Sequence, residues 1–242
     1  MPSRTQPVDP PEIEEAAGAA SSPQADGKST ESLSSEAFQI IEERIVTLVL
    51  PPASTWSESA IADSISIGRT PVREALQRLA VGHVVRIARG HGIIISPIDM
   101  QMQLLVVETR RELERLIALR AARRVLPSDK RKLLHLADEL EETGRTQNIL
   151  DFLAKQFTYK EMLAEIAGNP FAAAALEPLH ILTRRFYFRY HRDLEDLPLV
   201  TQLHSRLLRS VATGDEAIAR EAVDAMTGYA EQLTRRIVDR ER

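Results

Sequence analysis

A chain of 242 residues with 43% apolar content and a formal charge of −4 is long enough to bury two cores of ordinary domain size. It has no cysteine, which excludes disulfide stapling and cysteine-ligated metal and suits a reducing cytoplasm. No apolar run is long enough to span a bilayer and no apolar signal segment follows the first charges, so the expectation is a cytoplasmic chain with no membrane partner.

Residues 1–33, rich in Pro, Ala, Ser and Glu without a periodic apolar face, read as a disordered tail. Residues 34–98 read as a first domain. From Ser35 to Leu50, Phe38, Ile41, Ile45 and Leu48 recur at helical spacing until Pro51-Pro52 stops the pattern. Ser57 caps a short helix over Glu58 to Ser64, and Ile67-Gly68 turns the chain. A third helix follows, with Thr70 expected as its cap, Pro71 at its first position, and Val72, Ala75, Leu76 and Leu79 as its apolar stripe. Arg69, Arg73, Glu74 and Gln77 then point away from that stripe. Val84 to Ile87 and Ile93 to Ile95, around the turn Arg89-Gly90-His91-Gly92, read as a β-hairpin.

Helix, helix, arginine-bearing helix and hairpin together spell a winged helix-turn-helix. Arginine at the start of a helix in the major groove makes bidentate bonds to guanine O6 and N7, while the helix's terminal N–H groups favour phosphate. The charge is polarised accordingly. Between Gly68 and Ser96 five arginines (Arg69, Arg73, Arg78, Arg86 and Arg89) face one acid, Glu74, giving +4. Between Ser35 and Ile67, Arg44 faces Glu36, Glu42, Glu43, Glu58 and Asp63, giving −4. Such a module neutralises phosphates on one side only. For Arg78 and Arg86, solvation of a surface helix is an equal alternative.

The strings Glu58-Ser59-Ala60-Ile61-Ala62, Gly68-Arg69-Thr70-Pro71-Val72-Arg73-Glu74-Ala75-Leu76 and Arg89-Gly90-His91-Gly92 resemble the DNA-binding domain of GntR-type bacterial transcription regulators. The helical remainder resembles the ligand-binding half of the FadR branch, the FCD domain. The resemblance implies operator contact by Arg69, Thr70 and Arg73, with Arg89 and Gly90 at the wing tip. Ser66-Ile67-Gly68 stands where family members often read Gly-Val-Ser, and Val81-Gly82-His83 where Glu-Gly is usual, so operator sequence does not carry over.

Residues 99–242 read as an all-α bundle of about six helices. Asp99 opens a helix to about Val125, closed by Pro127; Ser128 opens the next, to Gly144; a third runs from Ile149 to Ala167, where Gly168-Asn169-Pro170 resets the chain. The fourth spans Pro170 to about His191, the fifth follows Asp196-Leu197-Pro198 to Thr213, and Gly214-Asp215 caps the last, which ends near Arg240.

Metal-holding FCD domains carry an Asp and a His four residues apart on one helix and a His on each of the last two. Registered on Leu163 to Asn169, the resemblance places Gln156 at the Asp position and Lys160 at the first His; registered on Gly214-Asp215, it places Met226 at the last, and His204 alone keeps its type. A protonated lysine does not ligate such metals, so no metal and no other cofactor is expected. Gln156 with a protonated Lys160 carries the same +1 as a carboxylate with a divalent ion. Arg110, in Arg110-Arg111-Glu112-Leu113-Glu114, resembles the Arg of the family's Arg-x-x-Leu-Glu and is expected to meet them. One reading is an anionic small molecule, a carboxylate, held by Lys160 and Arg110 with Gln156, His204 and Met226 around it. The other is that Lys160 reaches solvent or pairs with Glu161 or Glu165, and that His204 is a core histidine.

His180 and His191, among Arg184, Arg185 and Arg189, are expected on a solvated face. Phe186, Tyr187, Phe188 and Tyr190 divide between core and either a pocket or a dimer seam. Gly90-His91-Gly92 lacks the setting of a nucleotide loop, and no nucleophile elbow or catalytic carboxylate pair is present, so the chain is not expected to be an enzyme. The expectation is a homodimeric, ligand-responsive repressor on a near-palindromic double-stranded operator. Its alternative is a constitutive dimeric DNA-binding regulator with a vestigial pocket.

Overall fold

The computed structural model describes residues 30–193 and 196–240. The chain opens with α1 (Thr30–Val46), β1 (Thr55–Trp56), α2 (Glu58–Ile65), α3 (Arg69–Val81), β2 (Val85–Ala88) and β3 (Gly92–Ile95). The first helix starts a turn earlier than Ser35, because half-buried Leu33 extends the stripe that Ala37 continues. Residues 30–33 therefore belong to α1, and the rest of the expected tail lies outside the described residues. The helix ends at Val46, before the Leu50 expected, where Leu48 takes a left-handed φ of 61°.

Phe38, Ile41 and Ile45 of α1 close over Val72, Leu76 and Leu79 of α3 to make one buried core. Ser57 caps α2 as expected, its hydroxyl accepting from Ala60 N at 3.0 Å. The expected hairpin is one strand short. Two residues of β1 add to it antiparallel, giving the order β1-β3-β2 with Trp56 opposite Ile93. That close approach requires Gly92: a Cβ there would stand 2.5 Å from the Trp56 carbonyl oxygen, and its φ of +88° is one that glycine tolerates.

Among the described residues six α-helices then form the bundle: α4 (Met100–Arg124), α5 (Pro127–Arg145), α6 (Ile149–Ala167), α7 (Pro170–Tyr190), α8 (Leu197–Thr213) and α9 (Glu216–Arg240). The cap of α5 differs from expectation: Leu126 holds that position with Pro127 as the first helical residue, so Ser128 lies inside the first turn, and Asp129 accepts from Leu126 N at 3.1 Å. Asp99 and Asp215 cap as expected. Asp99 accepts from Gln101 N and Met102 N at 2.8 and 3.0 Å, and Asp215 from Ala217 N and Ile218 N at 2.7 and 3.1 Å. Among the described residues no helix is long and apolar enough to cross a membrane.

The N-terminal half rests on α7. Gly82, at the end of α3, lies against Pro178 so closely that a Cβ would approach the proline Cβ to 2.3 Å. Arg78 of α3 pairs through both nitrogens with Glu177, and its guanidinium carbon lies 3.9 Å over the Phe38 ring. Arg184 pairs with Glu42 of α1 in a buried contact and donates to the Leu153 carbonyl at 3.0 Å. Arg185 donates to the carbonyls of Ser96 and Pro97 at 2.7 and 3.2 Å. The expectation of a solvated face is thus wrong for Arg184 and Arg185, which are buried because carbonyls and carboxylates distant in sequence satisfy them, and for the largely covered His180, whereas Arg189 is exposed as expected.

Candidate functional site

The exposed face of α3 carries the residues chosen for DNA contact. Pro71, Val72, Ala75, Leu76 and Leu79 are buried; Arg69, Thr70, Arg73, Glu74 and Gln77 are exposed. Thr70 is not the cap. Gly68 occupies that position with no side-chain cap bond, and Thr70 sits inside the first turn. The helix's opening N–H groups are therefore left for an external acceptor, and Pro71 has no N–H to waste.

Arg69 has no ion-pair partner among the described residues, and its guanidinium stands in solvent. Arg73 is exposed yet engaged: Nε and Nη2 donate to the two carboxylate oxygens of Glu58 at 3.0 and 2.8 Å. That hydrogen-bonded pair raises the Arg73 pKa above its usual value. Glu58 thus fixes the fork of Arg73 at the entrance of the reading face. Arg89 and Gly90 lie exposed in the turn between β2 and β3, where Gly90 has a φ of +74°. Arg86 is also exposed, whereas Arg78 is spent on α7.

In the bundle, Arg110 of α4, Gln156 and Lys160 of α6, His204 of α8 and Met226 of α9 all line one small chamber of about 50 Å³. The five positions chosen from sequence come together; what neutralises their charge was not among them. The Glu114 carboxylate is buried between Arg110 Nε at 3.1 Å, Lys160 Nζ at 3.0 Å and His180 Nε2 at 2.8 Å. Lys160 therefore neither reaches solvent nor pairs with Glu161 or Glu165. Burial alone would raise the Glu114 pKa, but Arg110, Lys160 and His180 hold it well below the carboxylate range. Burial, only partly offset by Glu114, pulls Lys160 down to about 7 and, with Lys160 nearby, His180 down to about 3.

His204 is committed at both nitrogens. The Gln156 amide donates to Nε2 at 3.2 Å, which leaves Nδ1 protonated and donating to the Tyr159 hydroxyl. Burial holds its pKa well below the usual histidine value. These residues do not fit the family's metal: an amide, a lysine and a thioether stand where three of the four ligands belong, and the remaining imidazole has both nitrogens hydrogen-bonded. Among the described residues no three His, Cys, Asp or Glu side chains group to hold a metal.

Several polar atoms of the chamber are left over. Gln103 Nε2, Gln156 Oε1 and Arg110 Nε are buried without an aligned hydrogen-bond partner, the last because it meets Glu114 off the N–H direction. Gln103, Glu114 and His180 escaped the sequence reading. The signal for Glu114 was its place four residues after Arg110, on the same helix face. For Gln103 only its place on the buried face of α4 pointed inward.

The sequence matches the FCD domain family over residues 105–228 and the gntR family of bacterial regulatory proteins over residues 33–95. A helix-turn-helix-type transcriptional regulator in an unstable DNA locus of Streptomyces ambofaciens is 28% identical over 188 residues, covering 76% of this chain and 77% of that protein. The repressor RspR of Escherichia coli K12 is 21% identical over 206 residues, 85% of this chain and 89% of its own. The solved structure of E. coli McbR/YncC superposes with a TM-score of 0.74 at 16% identity, over 86% of this chain and 99% of that one, which supports the fold. The chain is a transcriptional regulator, not an enzyme: it belongs to the FCD domain family and carries, ahead of that domain, a DNA-binding domain of the gntR family of bacterial regulatory proteins.

Proposed function

We propose that this regulator works in the cytoplasm as a homodimer that represses from a near-palindromic operator and releases it when a small anionic metabolite, a carboxylate, enters the chamber. The observation that carries the DNA part is the split of α3 into a buried apolar stripe and an exposed face bearing an unpartnered Arg69. Repression is supported by the name of one relative. Arg69→Ala and Arg73→Ala should each weaken binding to a genomic fragment selected by the protein, by about 1–3 kcal/mol per lost base contact. Arg78→Ala removes a cation that faces α7 and should do less. Equal effects of all three would refute the assignment.

The effector part rests on the unfilled Gln103 amide, which suits a carboxylate, on the Arg110 guanidinium, whose Nε meets Glu114 off the N–H direction, and on Gln156 Oε1, which suits a donor on the same ligand. At about 50 Å³ the chamber is far below the roughly 300–1,000 Å³ of ordinary metabolite pockets, so the acid is small or the helices part to admit it. No metal takes part in this reading, and a chelator should leave operator affinity unchanged. A panel of two- to four-carbon acids tests it through melting temperature and operator affinity, with Lys160→Ala as the control that removes the response. The alternative, constitutive binding with a vestigial pocket, draws on Glu114, an internal carboxylate already seated between the cations. No response to any acid would establish it.

A further inference from the structure

A second cavity, much larger than the polar chamber, lies between the DNA-reading half and the bundle. Its volume is about 430 Å³, within the range of small-molecule sites. Its wall is mostly apolar, built from Ile117 of α4, Phe157 and Leu163 of α6, Leu176 of α7 and Leu207 of α8. Glu42 of α1 and Arg78 of α3 close it from the other half, so the crevice is bounded by both parts of the molecule.

The charges on this wall are nearly all spent. Arg184 pairs with Glu42, Arg78 with Glu177, and Lys160 and His180 with Glu114. Glu161 is the exception: it lines the crevice, stands at its exposed edge, and has no ion-pair partner among the described residues. Partial burial and the nearby carboxylates of Glu165 and Glu177, opposed by Arg78, push its pKa up, so a cation arriving there meets more than one acid, with the Arg78 guanidinium, committed to Glu177, as its nearby competitor on this wall. Lys160, His180 and Arg184 border both cavities, but Gln103 and Arg110 belong to the chamber alone.

We infer that the crevice between α3, α6 and α7 binds an apolar molecule bearing an ammonium group, with the apolar body against Phe157 and Leu163 and the cation at Glu161 beside Glu177. Glu177 is also the partner of Arg78 on the recognition helix, so an ammonium drawing on that carboxylate competes with the contact that seats α3 on α7. Occupancy is thereby reported to the DNA-reading face without passing through the polar chamber.

Three probes of matched size separate charge from apolar burial: 2-phenylethylamine, 2-phenylethanol and 3-phenylpropanoate, titrated calorimetrically into the full-length protein with melting temperature as a second readout. The amine should bind at least tenfold tighter than the alcohol or the acid. Glu161→Gln should bring the amine down to the level of the alcohol, and Ala174→Trp, at an exposed alanine of the wall, should abolish binding of all three. The inference is overturned if no probe binds, if the acid binds tightest, if Glu161→Gln leaves the preference for the amine intact, or if Ala174→Trp leaves binding unchanged. It is likewise overturned if the probes fail to bind and Ala174→Trp instead changes the oligomeric state in sedimentation, since a second copy then covers the face. Neither variant touches the chamber, so these results are independent of the response to small acids and its Lys160→Ala control.

Discussion

Replacing Glu114 by glutamine keeps the shape of the side chain and removes the one negative charge shared by Arg110, Lys160 and His180. Breaking a buried ion pair from one side costs about 3–5 kcal/mol, because the surviving charge is left uncompensated. For a chain of this size that corresponds to a fall in melting temperature of roughly 6–20 °C. The loss should depend on pH. In the native protein Lys160 keeps its proton up to about 7, against an unfolded value near 10.5, and Glu114 is what holds it that high. Without Glu114 the folded lysine sheds its proton at lower pH, relieving one of the stranded charges while the unfolded chain still holds that proton. The variant's stability then rises with pH in a window where the native protein's lysine contribution is still flat. Urea unfolding of Glu114→Gln should therefore show a larger deficit at pH 5.5 than at pH 8. Adding Lys160→Met should recover part of the deficit at the lower pH. A deficit below about 1 kcal/mol, or one indifferent to pH and to the second substitution, would refute the hub assigned to Glu114.

Glu58→Gln should raise affinity for non-specific duplex DNA and narrow the margin over the operator, because it frees Arg73 and removes a negative charge near phosphate. Fluorescence anisotropy over a salt series would detect this, and unchanged non-specific binding would contradict it. Gly92→Ala should cost about 1–3 kcal/mol and shift Trp56 emission, since a Cβ meets the Trp56 carbonyl and the backbone has positive φ; retention of both the native melting temperature and the emission would argue against β1 as drawn. Burial, opposed by Arg184, raises the folded pKa of Glu42 to about 7. Because the unfolded carboxyl gives up its proton near 4.5, the Glu42 contribution to stability falls as pH rises between those values. Denaturant midpoints at pH 5 and pH 7.5 should diverge less in Glu42→Gln than in the native chain.

The reading half was legible because its signals are local: proline and serine punctuation, an apolar stripe on α3, and a glycine turn between two apolar runs. Its misses are where tertiary packing overrides such signals. The two-residue strand β1 has no periodicity to detect, and Thr70 yields the cap position to Gly68, a residue about as favoured there as threonine, so propensity does not separate the two. In the bundle, boundaries followed from glycine and proline, and the five chamber positions converge as registered. The charge state of that chamber did not follow. Glu114 was in view as part of a motif, yet its partners lie on α6 and α7, and helical periodicity says nothing of which charged face another helix will cover. The same blindness placed His180, Arg184 and Arg185 in solvent, although carboxylates and carbonyls far along the chain engage all three and the two arginines are buried.

Arg185 clasps the two carbonyls where the chain leaves β3 for the bundle, Arg78 is clasped by the same helix one residue before Pro178, and Gly82 leaves no room for slack between them. The reader is consequently mounted on a single rod rather than strung on a leash. A tilt of α7 by a few degrees becomes a displacement of the arginines at the far end of α3, with the rod as lever and little compliance to absorb it.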